Sequence, residues 1–151
     1  FGPTDGGQLA QVQSFLAGNA NSANPHGLYS LWAGANDVKN GLLGGFSAAS
    51  IINNATTNIT TAANLLHYAG AKYIMVLNIP DLGATPIVRA FGPNVSRAFT
   101  AVSIAYDQTL NTKLNNIGFD VIQPDTFGAL AYIQKYPQLF GFSSSFGSVC
   151  D

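Results

Sequence analysis

The sequence predicts an α/β fold built around a parallel sheet. Segments with helical spacing of apolar residues alternate with short apolar runs, in the order helix, strand, helix, strand, helix, strand, helix. The run at residues 73–79 is apolar on both faces, which is typical of a parallel strand covered by helices on each side. Right-handed crossovers would join such strands. Because we find no internal repeat and no linker, we expect residues 1–151 to form part or all of one domain.

The first predicted helix covers residues 8–17, where apolar side chains recur at helical spacing. A loop rich in turn-forming residues follows at 18–27, and residues 28–33 form the first strand. A second loop is expected at 41–45.

A long helix is predicted to begin at Ser47 or Ser50, either of which can cap it, and to end near Ala69. Gly70 then stands where a glycine commonly follows a helix. The apolar residues of its inward side are Ile51, Ile52, Ala55, Ile59, Ala62, Ala63 and Leu66.

The second half continues the alternation. The strand at 73–79 is broken by the Pro- and Gly-containing segment 80–86, and a helix is predicted over 95–114. A third strand is expected at 119–123, and a short helix from 126 to 136. The residues predicted to face inward on the 95–114 helix are Ala98, Val102, Ala105, Tyr106 and Leu110.

Composition narrows the function classes. Apolar residues make up 47% of the chain, and charged residues only 9%, against about a quarter in an average protein. All seven acids are aspartates. This profile favours a secreted or extracytoplasmic protein. The net charge of −1 and the scattered basic residues argue against nucleic-acid binding, and no apolar stretch is long enough to span a membrane.

Gly34-Ala35-Asn36-Asp37 is the most informative motif because it directly follows the first strand. In open α/β sheets, ligands bind at the carboxyl ends of the strands. A fixed amide at that edge can hydrogen-bond the negative oxygen that develops when an ester carbonyl is attacked. Taken alone the motif is weak, because Asn and Asp often follow strands as helix caps or turn residues.

The combination is specific. Three features together resemble the GDSL family of SGNH hydrolases: the strand followed by GANDV, the strand followed by PDLGATP, and the late helix followed by Gly118-Phe-Asp-Val. The tail 136–150 resembles the lipase and esterase branch of this family. The resemblance implies a three-layer flavodoxin-like parallel sheet and serine-dependent ester hydrolysis. It assigns Asn36 the catalytic role of oxyanion donor, Gly34 a tight backbone turn, and Asp37 the organisation of the loop.

This sequence has only the third of the family's four conserved blocks, Gly-x-Asn-Asp, and the block that supplies a glycine donor is one of the three missing. It contains neither Gly-Asp-Ser, which carries the nucleophile, nor Asp-x-x-His, which carries the acid and base. The histidines, His26 and His67, lie in a loop and near a helix end, with no acid placed to orient them. Ser47 half-resembles a nucleophile elbow but fits a helix cap better. The chain therefore resembles a partial SGNH domain, a middle-to-late fragment.

Two functions stay open at this point. The first is a GDSL-type ester hydrolase acting on acyl or acetyl esters of lipids or carbohydrates, completed by segments outside this chain. The second is a non-catalytic SGNH-like binding or interaction module. In either case we expect no cofactor and no metal site, since one cysteine, two distant histidines and no glutamate give no ligand cluster.

The remaining expectations concern this chain by itself. We expect it to be inactive alone, and to associate with itself or with a second polypeptide from the same precursor, because its first strand would lack a neighbour. Cys150 has no partner within the chain. Trp32 and Ile79 are expected near the carboxyl edge, where they would tolerate an acyl chain, together with Leu42, Leu43 and Leu82.

Overall fold

The computed structural model describes residues 7–143. Cys150 and the end of the resembling tail lie outside this range. The described elements are α1 (Gly7–Gly18), β1 (Leu28–Leu31), α2 (Ala35–Leu43), α3 (Ala48–Tyr68), β2 (Tyr73–Val76), α4 (Pro86–Arg89), α5 (Pro93–Asn115) and α6 (Thr126–Lys135), with short 3₁₀ turns at Leu82–Ala84 and Pro137–Phe140.

The two strands pair in parallel, as the alternation predicted. Leu28 lies opposite Tyr73, and Leu31 lies opposite Val76. Both strands are shorter than expected and end before residues 33 and 79.

The predicted third strand at 119–123 is reduced to a single parallel bridge between Met75 and Ile122. Ile122 donates its N–H to the Ile74 carbonyl and accepts one from Val76, both at 2.9 Å. The segment cannot extend further, because Pro124 follows with no N–H to donate and Gly118 before it turns at a φ of +91°.

The hydrophobic core lies between one face of this sheet and helices α1, α3 and α5. Helix α3 is its centre, in contact with both neighbouring helices. All seven residues that the sequence placed on its inward side are buried. From the sheet, Leu31, Ile74 and Val76 point into the same core.

The opposite face of the sheet carries apolar side chains that no described residue covers well. Leu28 is 58% exposed, Tyr73 52% and Ile122 49%. The part of the chain between residues 7 and 143 thus forms two layers, a small sheet and the helices on one side of it. The flavodoxin-like third layer stays a prediction.

Two local predictions are wrong. Residues 41–45 were expected to be a loop, but helix α2 continues to Leu43. Its start is favoured by the buried Val38, whose N–H bonds the Gly34 carbonyl at 2.9 Å. On α5, Ala98 is exposed and Phe99 is buried instead. Phe99 fills the core better than the methyl group of Ala98 would, while Tyr106 and Leu110 are buried as predicted and Val102 and Ala105 pack against the core.

Among the described helices, none combines the length and the apolar character needed to cross a bilayer.

Candidate active site

Asn36 lies at the carboxyl end of β1, in the first turn of α2. Its side chain is exposed and makes no hydrogen bond with residues 7–143. Gly34 precedes it at a φ of +106°, a conformation that residues with a Cβ rarely adopt. The left-handed turn lets the chain leave the strand and start the helix after only three connecting residues. Asp37, also exposed, follows in the same helical turn.

Tyr106 of α5 packs directly beneath this turn. Its side chain is fully buried, and its hydroxyl donates to the Ala33 carbonyl at 3.0 Å. A Cβ placed on Gly34 would clash with the phenol ring and hydroxyl. Burial, followed by the charges of Asp37 and Asp107, raises the pKa of Tyr106 above its ordinary value, so the hydroxyl stays protonated.

The second loop, after β2, is also held by α5. Asp81 accepts from the N–H of Gly83 at 2.9 Å and from the Thr100 hydroxyl at 2.7 Å. The Ser96 hydroxyl donates to the Gly83 carbonyl at 2.7 Å, and Ser103 accepts from the N–H of Leu82 at 3.2 Å. This network makes the PDLG segment a fixed structural turn.

Position 83 of this turn requires glycine, because there is no room for a side chain. A Cβ at this position would meet the Ser96 carbonyl and the Thr100 hydroxyl. The glycine thus allows the loop to approach the α5 backbone closely.

Asn78 connects the end of β2 to two helices. Its amide nitrogen donates to Asp107 at 3.2 Å and to Asp125 at 3.3 Å. Its side-chain oxygen accepts the N–H groups of Thr126 at 2.7 Å and Phe127 at 3.2 Å, at the start of α6. Its own carbonyl accepts from the indole N–H of Trp32 at 3.1 Å, which joins the two strand ends.

Asp107 has an unusual protonation equilibrium. Burial is the main cause that raises the pKa of Asp107 to about 7, and the negative charge of Asp125 acts in the same direction, whereas the hydrogen bonds from the Ile79 N–H and from Asn78 oppose the rise. Asp107 lies next to Tyr106 on α5. Two consecutive residues of one helix therefore hold the ends of both strands.

A cavity of about 330 Å³ lies between α5 and the segment after the Ile122 bridge. Asn36 does not line it. Its polar lining is Asn78, Asp107, Gln108, Asn111, Gln123 and Asp125. Within residues 7–143 no group of three His, Cys, Asp or Glu side chains is placed to hold a metal ion.

The remaining candidates from the sequence lie elsewhere. His26 is exposed before β1, and His67 stacks on Phe119 at 3.9 Å before β2, so both are at the amino ends of the strands. Ser47 caps α3, since its hydroxyl accepts the Ser50 N–H at 3.2 Å. The interpretation of Ser47 as a cap is confirmed.

The apolar residues expected near the edge divide into two groups. Trp32 is 54% and Leu43 57% exposed, and Leu42 is half-buried. Ile79 is fully buried and Leu82 nearly so, so the expectation that these two could contact an acyl chain is wrong. Both pack into the core because the loop after β2 is pulled onto α5.

The roles of Tyr106, Asn78 and Asp107 are not predicted by any pattern in the sequence. Tyr106 was predicted to face the core, but nothing local indicated that it faces Gly34. For Asp107 a weak signal exists, because a carboxylate directly beside an inward-facing residue of a helix is expected to lie at the edge of the core.

Comparison with known proteins points to one family. The family model of GDSL-like lipase/acylhydrolase matches residues 2–144. An uncharacterized protein in the trpE-trpG intergenic region of Pseudomonas putida is 30% identical over 142 residues, which are 94% of this chain and 23% of that protein.

Two further relatives have names that describe an activity. Lipase 1 of Photorhabdus luminescens is 35% identical over 81 residues, 54% of this chain and 13% of the lipase. Phosphatidylcholine-sterol acyltransferase of Aeromonas hydrophila is 35% identical over 100 residues, 66% of this chain and 28% of that protein. The chain thus spans no more than 28% of the length of these relatives. Because the family model covers nearly all of it, the chain belongs to the GDSL-like lipase/acylhydrolase family.

Proposed function

We propose that this chain is part of a serine ester hydrolase in which the amide of Asn36 donates to the oxyanion formed at the substrate carbonyl. The observation that carries the proposal is the exposed, unpartnered Asn36 side chain at the carboxyl end of β1, on a turn fixed by Gly34 and Tyr106. A donor carried on a fixed backbone turn needs less reorganisation when negative charge develops, and donors placed in this way stabilise transition states effectively.

The start of α2 favours the same chemistry. The first N–H groups of a helix have no partner within it, and the helix dipole is positive at this end. Asn36 projects from this first turn. A developing oxyanion beside it would therefore meet a favourable field as well as one amide donor.

The nucleophile and the base are proposed to come from outside these 151 residues. The sequence has no Gly-Asp-Ser and no Asp-x-x-His, and both histidines lie before the strands, away from Asn36. Relatives several times longer than this chain are consistent with such an arrangement.

The proposed substrate is an ester of a lipid or of an acylated carbohydrate. The names lipase and phosphatidylcholine-sterol acyltransferase among the relatives support the lipid class. The exposed Trp32 and Leu43, near the same strand end, offer apolar surface to an acyl chain.

Substitution of Asn36 tests the proposal. In the whole protein that contains this chain, Asn36→Ala should lower kcat on a chromogenic p-nitrophenyl ester by about 10²–10³-fold, because one oxyanion donor is lost. Asn40→Ala, an exposed asparagine one turn later on α2, is the matched control and should keep kcat. An unchanged kcat in Asn36→Ala would remove this residue from the mechanism.

The location of the nucleophile has its own test. The 151-residue chain alone should show no esterase activity and no adduct with a serine-directed fluorophosphonate, whereas the whole protein should react. If the whole protein also gives no adduct and no activity, the alternative of a non-catalytic binding module is favoured.

Two further parts of the proposal concern the third layer of the sheet and the cellular location of the protein. We expect the exposed sheet face to be covered by other parts of the whole protein, or by a second polypeptide from the same precursor, giving the three-layer flavodoxin-like sheet. The low charge content supports a secreted or extracytoplasmic location. Fractionation of the source cells that finds the protein in the cytosol would contradict this location.

A further inference from the structure

The direction of the Asn36 amide depends on the backbone beneath it. No polar group among residues 7–143 holds this side chain. The backbone from Ala33 to Val38 is fixed at two points, the bond from the Tyr106 hydroxyl to the Ala33 carbonyl and the bond from Val38 N–H to the Gly34 carbonyl. The second belongs to α2 itself. Among the described residues, the bond from the Tyr106 hydroxyl is the one that joins this turn to another element.

The fit between Tyr106 and Gly34 is close. The phenol occupies the space that any side chain at residue 34 would need, and it is completely buried. The turn therefore cannot move toward α5 without meeting the ring, and it cannot move away without losing the bond to Ala33. The ring and the hydroxyl of Tyr106 together fix the distance between the turn and α5.

We infer that Tyr106 is a positioning residue that fixes the oxyanion donor Asn36 through the Ala33–Gly34 backbone. The inference deepens the proposed function and rests on it. Tyr106 touches no reacting atom in this arrangement. Its contribution is to keep a neighbouring group where the transition state needs it, since displacements near 1 Å at a reacting centre can cost about 10²-fold in rate.

The environment of the phenol keeps it suitable for this task. Burial and the nearby carboxylates of Asp37 and Asp107 raise the pKa of Tyr106. The hydroxyl thus remains protonated, and a donor to the Ala33 carbonyl, at neutral pH. An ionised phenolate would repel that carbonyl.

The test uses the whole protein and a p-nitrophenyl ester. Tyr106→Phe keeps the ring and removes one hydrogen bond, so we expect kcat to fall about tenfold with KM unchanged. Gly34→Ala disturbs the same contact from the other side and should lower kcat more, because a Cβ clashes with the ring and the φ of +106° is unfavourable for alanine.

A double substitution separates positioning from general destabilisation. In the Asn36→Ala background, Tyr106→Phe should cause no further fall in kcat, because the group that it positions is gone. Tyr29→Phe is the matched control. The Tyr29 hydroxyl accepts the N–H of Asn24 at 2.7 Å at the other end of β1, and its loss should leave kcat unchanged.

The outcomes distinguish this inference from the proposed function. If Asn36→Ala leaves kcat unchanged, both fall. If Asn36→Ala has its expected effect but Tyr106→Phe and Gly34→Ala do not lower kcat, only the positioning role is overturned. Equal effects of Tyr106→Phe with and without Asn36 would also overturn it. Should Tyr106→Phe fail to fold, Gly34→Ala decides by the same comparison.

Discussion

Asp107 shows how one residue can make stability depend on pH. Its carboxyl is half-buried beside Asp125, and its pKa is raised from 3.8 to about 7. The folded protein therefore binds a proton more tightly there than the unfolded chain does. The stability that this provides is fully present below about pH 4 and is lost as the pH rises to about 7.

Asp107→Asn tests this linkage. Wild-type stability should fall between pH 4 and pH 7 relative to that of the variant, which cannot ionise at this position. Thermal unfolding across this pH range measures the difference. The exposed Asp120 offers a control, since Asp120→Asn should keep the wild-type pH dependence. If Asp107→Asn also keeps it, Asp107 is not the group responsible.

At the scale of single residues, the sequence predicted positions better than contacts. The cap at Ser47 follows from local backbone chemistry, the tight turn at Gly34 was implied by the family resemblance, and both are confirmed. The bonds of Tyr106 to Ala33 and of Asp107 to Ile79 join residues 73 and 28 positions apart. No local pattern specifies such pairs, because they depend on how α5 packs under the strand ends.

Helix α3 is the element whose prediction succeeded most completely. Its apolar residues repeat at helical spacing over 21 residues, Ser47 caps its start, and Gly70 follows its end at a φ of +104°. Every local signal agreed with the tertiary structure. Helix α2 was not predicted. One reason is that it has only nine residues and contains a glycine, Gly41, which lies close against Ile51 of α3.

The cap of α3 gives a prediction at this scale. Ser47→Ala should lower the free energy of unfolding by about 1 kcal/mol, since the N–H of Ser50 loses its acceptor. Ser50→Ala, in the first turn of the same helix, is the control and should have a smaller effect. Chemical denaturation measures both. Because Ser47 is a cap, Ser47→Ala should leave the proposed esterase activity of the whole protein intact, and its loss in this variant alone would contradict this interpretation.

The third strand shows the limit of pattern analysis for a short element. A strand was predicted over 119–123, yet only Ile122 bonds to β2. Flanking residues decide this outcome, because Pro124 cannot donate and Gly118 turns the chain. The segment lies beside β2 and runs parallel to it, but it is far shorter than the predicted strand.

For the whole molecule, the exposed sheet face and the outer edge of β1 have the same consequence. Leu28, Tyr73 and Ile122 present apolar surface, and within residues 7–143 β1 pairs on one side only, with β2. Unpaired edges and apolar patches of this kind promote association.

We therefore expect the 151-residue chain by itself to self-associate. Size-exclusion chromatography with light scattering should give a mass above that of the 15.8 kDa monomer. The double variant Leu28→Lys and Tyr73→Lys should shift the chain toward monomer without loss of helical circular dichroism. A well-folded wild-type monomer at all concentrations would contradict the expectation.

The sequence by itself determined the long helices, the parallel pairing of β1 with β2, and the position of Asn36 after β1, because periodicity and turn chemistry act over a few residues. Only the tertiary structure decided that Tyr106 and Asp107 lie beneath the two strand ends and that Ile79 and Leu82 are buried. It also decided that, within the described residues 7–143, one face of the sheet is left exposed. These features depend on contacts between distant segments, whose geometry is set by the packing of the whole core and not by any one stretch of chain.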